Sequence, residues 1–481
     1  MTRGSICITL LTGLTMPLLV RAAASQQDAS KAPQATKPAE GPRLVKLTVH
    51  PAAAPAPALK YQLLPDLLDQ APGNASILYL SGSSLVRDDA RRKLGDKINS
   101  WLGAPPKDLP REEVRKALDK HKDALRQVEI GAFREWCHWD WPARSEPYSL
   151  VLPPLSNERF LSKLLAVRIR LNIAEGNSDQ VIHGLQTGFS MARHVGEGPT
   201  LIEALVGTAI ARVMAEQAEA FVGTAEAPNL YWALTDLPRP FISLRRSLRY
   251  ERSSFFLAFP LLRDPRKVEL TPRQWERLAN DVWTQLNAFS GGKAEEGAKM
   301  AFIGVQAQLL AQAKRYLLSQ GWTTEQVDAR PPQQVIAIHQ IDRFNERKDD
   351  LFKWFAVPYW RAQQELERVE RNLDRDAKQG MSDLATILLP ALTRAYGHTT
   401  IFDRQIAALR SIEAVRLYAA GHEGKLPASL GDITEVPIPI DPITGEPFQY
   451  KLDDDKAVLE WAPPPGFSPK HGTRYELLIA R

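Results

Sequence analysis

The sequence predicts a mainly α-helical protein: an irregular antiparallel helical bundle or hairpin array, with a small C-terminal α+β module made of a helix and a β-hairpin. Three observations support this fold class. From about residue 88 to residue 420, apolar residues recur at spacings of three and four, as they do on one face of a helix. Helix-initiation motifs recur in the same stretch. After residue 420, turn residues separate short strand-like runs.

Composition places the chain among globular proteins. Its 481 residues are 44% hydrophobic and 24% charged, which excludes wholesale disorder. Two cysteines exclude a disulfide scaffold and a four-cysteine zinc site. The formal net charge of +5 is too small and too dispersed to indicate a nucleic-acid partner. No internal run of about 20 apolar residues predicts a transmembrane helix after the N-terminal segment.

Residues 1–24 have the pattern of a secretory signal peptide. Arg3 precedes an apolar stretch at 6–20, and Ala22–Ala24 offer a small-residue cleavage site. The sequence therefore predicts an exported protein, periplasmic or extracellular. An uncleaved membrane anchor is the alternative. Cleavage would leave Cys137 as the single thiol, so no internal disulfide is expected.

Residues 25–59 are rich in Ala, Pro, Gln, Ser and Lys, which predicts a disordered linker. A helical domain is expected over 60–397. It begins with short apolar runs at 61–64 and 76–80, which we interpret as strands or extended packing segments.

Within the helical domain, three capping boxes indicate where helices begin: Thr200 with Glu203, Thr271 with Gln274, and Thr323 with Gln326. The periodicity predicts helices at 111–135 and 200–221, a helix pair at 160–195, and a long helical stretch at 333–378 that is bent near Pro358.

The C-terminal module spans 398–481. A helix is expected at 401–420, and strands at 447–452, 457–461 and 474–479. The run from this helix through KLPASL to DPITGEPFQY resembles the C-terminal part of type II secretion pseudopilins, over about residues 401–460. The resemblance implies the local helix-plus-sheet fold. It does not imply pilus assembly, because a pseudopilin carries its helix directly after its N-terminal signal.

A second resemblance covers the whole chain. The stretches 137–141, 197–211, 228–240 and 353–360 are similar to a group of uncharacterised secreted helical proteins from planctomycete-type bacteria. This resemblance implies export and a helical body, and it implies no activity.

The segment 135–141 has the most unusual composition, with three Trp, a thiol, an imidazole and two carboxylates. Trp faces stack on sugar rings and nearby carboxylates act as acid and base, so a glycan-active site is one interpretation. A Trp-anchored junction between helices is the other. The residues of this candidate site are Glu135, His138 and Asp140 as catalytic groups, and Trp136, Trp139 and Trp141 as binding groups.

Two further sets are weaker candidates. Aromatic residues between prolines either form a ligand cleft or fill gaps where helices end. They are Tyr231, Trp232, Trp354, Tyr359 and Trp360. Asp441, Asp453 and Asp455 are a possible calcium site, since oxygen-rich loops bind this ion. No other cofactor is expected.

The sequence contains no strong catalytic motif, so we expect an exported, non-enzymatic binding or scaffold protein of the cell envelope. Its partner would be a protein or a glycan, and its oligomeric state is left open. A glycan-active enzyme built around the Trp136–Trp141 cluster is the alternative. A peripheral component of a secretion assembly is a third hypothesis.

Overall fold

The computed structural model describes residues 41–144, 154–289, 309–378 and 384–480. The expected signal peptide at 1–24, and residues 25–40 of the expected linker, lie outside these ranges. The described chain is mainly helical with a small C-terminal sheet, which confirms the predicted fold class.

The helices are α1 Ala75–Ser84, α2 Asp88–Gly103, α3 Arg111–Asp119, α4 Lys122–Ala132, α5 Pro154–Glu175, α6 Ser178–Gly196, α7 Leu201–Val222, α8 Tyr231–Thr235, α9 Arg245–Ala258, α10 Pro272–Phe289, α11 Thr324–Asp328, α12 Pro332–Phe352, α13 Tyr359–Lys378, α14 Leu384–Leu388 and α15 Pro390–Gly421. Residues 309–319 are also helical. No helix among the described residues is long and apolar enough to cross a membrane.

The chain divides into two compact units. The large unit contains the described residues between 41 and 140, 154 and 247, and 395 and 480. The small unit contains those between 141 and 144, 248 and 289, 309 and 378, and 384 and 394.

Helices α5, α6 and α7 form the centre of the large unit, and much of each is buried. Helices α6 and α7 approach closely at a pair of glycines. A Cβ atom on Gly207 would lie 2.3 Å from the Cα atom of Gly196, so neither position has room for a side chain. Helix α7 begins with the predicted capping box, in which Thr200 accepts from the Glu203 amide and Glu203 accepts from the Thr200 amide.

Helix α1 corrects one local expectation. The run at 76–80 is helical rather than extended. Asn74 precedes the helix and accepts a hydrogen bond from the Ser76 amide at 3.1 Å, which caps the helix N-terminus. Helix α1 packs against α4, and Gly131 of α4 faces the ring of Tyr79. The capping residue therefore determines the local structure more than the β-branched and aromatic content does.

The sheet of the large unit consists of the strands β1 Arg43–Val49, β4 Gln449–Asp453, β5 Lys456–Trp461 and β6 Thr473–Ile479. Their order in the sheet is β1-β6-β5-β4. Strands β4, β5 and β6 are antiparallel neighbours and lie where the sequence predicts them. A separate parallel pair joins β2 Ala71–Asn74 to β3 Arg134–Trp136.

Strand β1 differs from expectation, because it lies within the predicted linker. It pairs in parallel with β6, from Arg43 opposite Thr473 to Val49 opposite Ile479. Leu47 and Val49 are buried, two residues apart on one face of the strand. This alternation, rather than the surrounding Ala and Pro content, determines the local structure.

The small unit is built from amphipathic helices. The predicted stretch at 333–378 is two helices, α12 and α13, joined by a short 3-10 turn at 353–356. Helix α11 begins with the predicted capping box of Thr323 and Gln326. One apolar cluster of this unit consists of Ala313, Leu317, Val327, Val335 and Ile338.

Candidate functional site

The backbone of the unusual segment is fixed against the start of helix α1. The His138 amide donates to the Asn74 side-chain oxygen at 2.9 Å, and the Asn74 side-chain nitrogen donates back to the His138 carbonyl at 2.8 Å. The Ser76 hydroxyl donates to the same carbonyl at 2.8 Å. Three hydrogen bonds and the β2–β3 pairing therefore determine which way each side chain of the segment points.

The candidate residues separate into outward and inward groups. Glu135, His138 and Asp140 are exposed, and the Trp136 side chain is 49% exposed. Trp139 is buried and stacks on Tyr79, with ring centroids 6.1 Å apart. Trp136 and Trp139 thus lie in different environments and do not line one groove. Trp141 belongs to the small unit and is half-buried.

Several titratable groups lie in the interior beside this segment. The sequence did not predict that they would meet. Tyr79 and His194 share a hydrogen bond of 2.8 Å between the phenol oxygen and Nδ1. Burial, followed by the positive charge of Arg193, lowers the pKa of His194 to about 4. Burial also holds the pKa of Tyr79 well above its usual range. Both rings are therefore neutral at physiological pH.

Cys137 faces the same interior and is half-buried. Burial raises the pKa of its thiol far above the ordinary range, and the carboxyls of Glu203 and Glu158 raise it further. A cysteine nucleophile acts as the thiolate. The surroundings favour the protonated thiol, so they do not activate Cys137.

The nearby carboxyl groups are bonded to neutral partners. Glu158 is fully buried, and the Ser83 hydroxyl lies 2.9 Å and 3.1 Å from its two oxygens. Burial raises the pKa of Glu158 to about 8. Glu203 is fully buried within the capping box of Thr200. These contacts belong to a hydrogen-bonded interior.

The predicted aromatic set lies in two units. Tyr231 and Trp232 belong to the large unit, and their rings pack edge to face at 5.1 Å. Tyr231 is fully buried and donates to the Pro437 carbonyl. These two rings pack within the protein rather than around open space.

The other three aromatic residues belong to the small unit. Tyr359 is buried, whereas Trp360 is 37% exposed and is covered by the guanidinium of Arg361 at 4.6 Å. The ammonium of Lys353 lies 5.7 Å from the ring of Trp354. Each ring has its own packing or cation–π partner.

The structure places the possible calcium ligands in different environments. Asp441 is buried and forms an ion pair with Arg404. Its other oxygen accepts from the Ile443 amide at 2.8 Å. Asp453 and Asp455 are exposed on either side of the hairpin turn at Asp454. Across the described ranges, no group of three His, Cys, Asp or Glu side chains is arranged to hold a metal ion.

Four exposed apolar residues lie on elements in or next to the β2–β3 pair, and sequence reasoning missed them. Ile77 and Leu80 share the outer face of helix α1 and are 69% and 39% exposed. Trp136 lies on β3, opposite Asn74 at the start of that helix. Leu68 of the preceding turn is 93% exposed. We call Leu68, Ile77, Leu80 and Trp136 the apolar patch. If residues 75–84 had been predicted as a helix, the spacing of Ile77 and Leu80 would have placed both on one face.

Comparisons with known proteins add no relationship. No family model, no curated protein and no solved structure matches the chain.

Proposed function

We propose that this chain is an exported, non-enzymatic binding or scaffold protein of the cell envelope. The main support for this proposal is the exposure of the apolar patch. Exposed large apolar side chains that cluster are typical of interaction surfaces. The partner is a protein or glycan that buries Ile77 and Trp136.

The interior supports a binding function over a catalytic one. The thiol of Cys137 is held protonated, and His194 and Glu203 are bonded to Tyr79 and Thr200. The carboxyls that the glycan-active alternative requires, Glu135 and Asp140, are exposed to solvent.

A matched pair of variants tests the proposal. Ile77→Asp places a charge in the apolar patch, and Ile440→Asp places one at a comparable exposed site, 51% exposed, in the C-terminal module. Cross-linking in envelope extract followed by quantitative mass spectrometry measures the partners of the full chain. We expect Ile77→Asp to reduce recovery of the main partner about tenfold, which corresponds to about 1.4 kcal/mol. Ile440→Asp should leave recovery unchanged.

Equal recovery with both variants would contradict the proposal. Trp136→Ala provides a second, uncharged test of the same surface, because it removes a ring that is 49% exposed. Both patch variants should keep the far-ultraviolet circular dichroism and melting temperature of the parent chain.

A further inference from the structure

Strand β4 is the outer strand of the sheet in the large unit. Among the described strands, only β5 pairs with it. A two-residue turn joins the two strands, so Asp453 and Lys456 form the first hydrogen-bonded pair of the hairpin. Such pairs alternate along an antiparallel ladder, so Tyr450 and Leu452 direct their amides and carbonyls to the open edge. Within the described chain, neither residue forms a backbone hydrogen bond outside the sheet. An edge of this kind can pair with a further strand.

Two side chains on the exposed face of β4 carry opposite charges. Lys451 and Asp453 are both exposed, and in the described ranges neither side chain forms an ion pair or a hydrogen bond. Together with Val458, Glu460 and Arg474, they line a groove of about 370 Å³. The charges on the far side of the groove are already paired, since Arg474 donates to Glu460 at 2.7 Å. Lys451 and Asp453, two residues apart, are therefore the charges available to a partner.

This pattern of charge is complementary to itself. A second copy of β4, running antiparallel along the open edge, can be placed with Leu452 opposite Leu452. Lys451 of each copy then lies opposite Asp453 of the other, so a twofold-symmetric contact contains two ion pairs. The outward amides and carbonyls of the two Leu452 residues bond to each other across the axis. Leu452 is half-buried, which leaves part of its side chain for the second copy to cover.

Other registers of the same strand fit less well. Centring the contact on Lys451 would place two ammonium groups opposite each other, and like charges directly opposite destabilise a strand pair. Centring it on Tyr450 would extend the contact to Pro447, which is already paired with Ile440. The charges and the neighbouring segment thus select the register centred on Leu452.

We propose that two copies of this chain associate through strand β4, in the register that pairs Lys451 with Asp453 of the second copy. The two sheets then form one continuous sheet across the twofold axis. The paired strands are short, so the association is weak and falls as ionic strength rises. The apolar patch includes no residue of this sheet, so Ile77→Asp should leave the association unchanged.

Sedimentation velocity of the full chain at low ionic strength tests the proposal. Between about 5 μM and about 500 μM, the sedimentation coefficient of the parent chain should rise from the monomer value toward the dimer value. Lys451→Asp and Asp453→Lys each place like charges opposite each other, so each variant alone should stay monomeric. Lys46→Asp, which changes an exposed lysine of β1 in the same sheet, should associate like the parent chain.

Two rescues separate the pairing of these charges from a general effect of charge. An equimolar mixture of the Lys451→Asp and Asp453→Lys chains should associate, because each chain then meets the opposite charge on the other. The double variant Lys451→Asp/Asp453→Lys should associate with itself for the same reason. Failure of the mixture to associate would overturn the proposed register.

Leu452→Pro tests the backbone part of the contact. It removes an amide that points to the open edge and leaves the ladder with β5 intact, so the chain should fold and lose its association. Circular dichroism checks that each variant is folded. A parent chain that stays monomeric over the whole concentration range would overturn the proposal, and so would dimers that persist in both Lys451→Asp and Asp453→Lys.

Discussion

The large and small units treat charged side chains differently. In the large unit, Glu413 and Arg416 form an ion pair whose side chains are both fully buried. In the small unit, Arg343 and Glu346 form a pair at the same sequence spacing that is exposed to solvent. Identical spacing on a helix therefore produces an interior bond in one unit and a surface bond in the other. The surroundings of a pair, and not its spacing, therefore decide what it contributes to stability.

The buried pair has a structural role that the exposed pair lacks. The Arg416 guanidinium donates to the carbonyls of His50 at 2.9 Å, Ala227 at 2.7 Å and Pro228 at 3.3 Å, as well as to Glu413. It thereby ties the segment after β1, the segment before α8 and helix α15 together. Such directional contacts specify which segments meet.

The largest effect is expected from Arg416→Met. Removing the guanidinium leaves the Glu413 carboxylate buried without its cation and leaves three carbonyls without a donor, which costs about 3–5 kcal/mol of unfolding free energy. Urea denaturation followed by circular dichroism measures the loss. The double variant Arg416→Met/Glu413→Leu should recover part of it, because the unpaired charge is gone. A loss below about 1 kcal/mol in the single variant would contradict this assignment.

An intermediate effect concerns pH. The pKa of Glu158 is raised from 4.5 to about 8 in the folded state, so its contribution to stability is greatest below pH 4.5 and is lost as pH rises through 8. Glu158→Gln removes this dependence. We expect the variant to match the parent chain near pH 5 and to exceed its unfolding free energy by on the order of 3–5 kcal/mol near pH 9.

Asp403 provides a second example with the same sign. Its carboxyl accepts from the Phe241 amide at 3.0 Å, and burial raises its pKa from 3.8 to about 7. Denaturation midpoints of Glu158→Gln and Asp403→Asn between pH 4 and 9 measure both groups. If each variant followed the same pH profile as the parent chain, the raised pKa values would be refuted.

The smallest effect is expected from Arg343→Ala in the small unit. Exposed pairs three residues apart on a helix contribute about 0.5 kcal/mol or less, since solvent and salt screen them. Urea denaturation in low and high salt measures the change, which should shrink as salt is added. A loss comparable to that of Arg416→Met would remove the contrast between the two units.

Sequence reasoning predicted the features that depend on neighbouring residues. The capping boxes at Thr200 and Thr323 and the strands β4, β5 and β6 follow from local spacing, and the structure contains them. Export, the partner and calcium binding stay predictions.

Features that depend on distant residues were not predictable in the same way. Strand β1 acquires its partner from β6 at the other end of the described chain. Asp441 acquires a buried cation from Arg404, and Tyr79 meets His194 across two helices. No local pattern encodes such encounters, because they arise only when the helices pack. The candidate site therefore became visible only with the fold.

The parallel pairing of β1 with β6 has a consequence for biogenesis. A nascent chain carrying residues 43–49 has no strand to receive them until residues 473–479 have been synthesised. Closing so long a loop is slow, and until it closes the apolar face of β1 stays uncovered. The unpaired β1 therefore delays completion of the large unit until the end of synthesis.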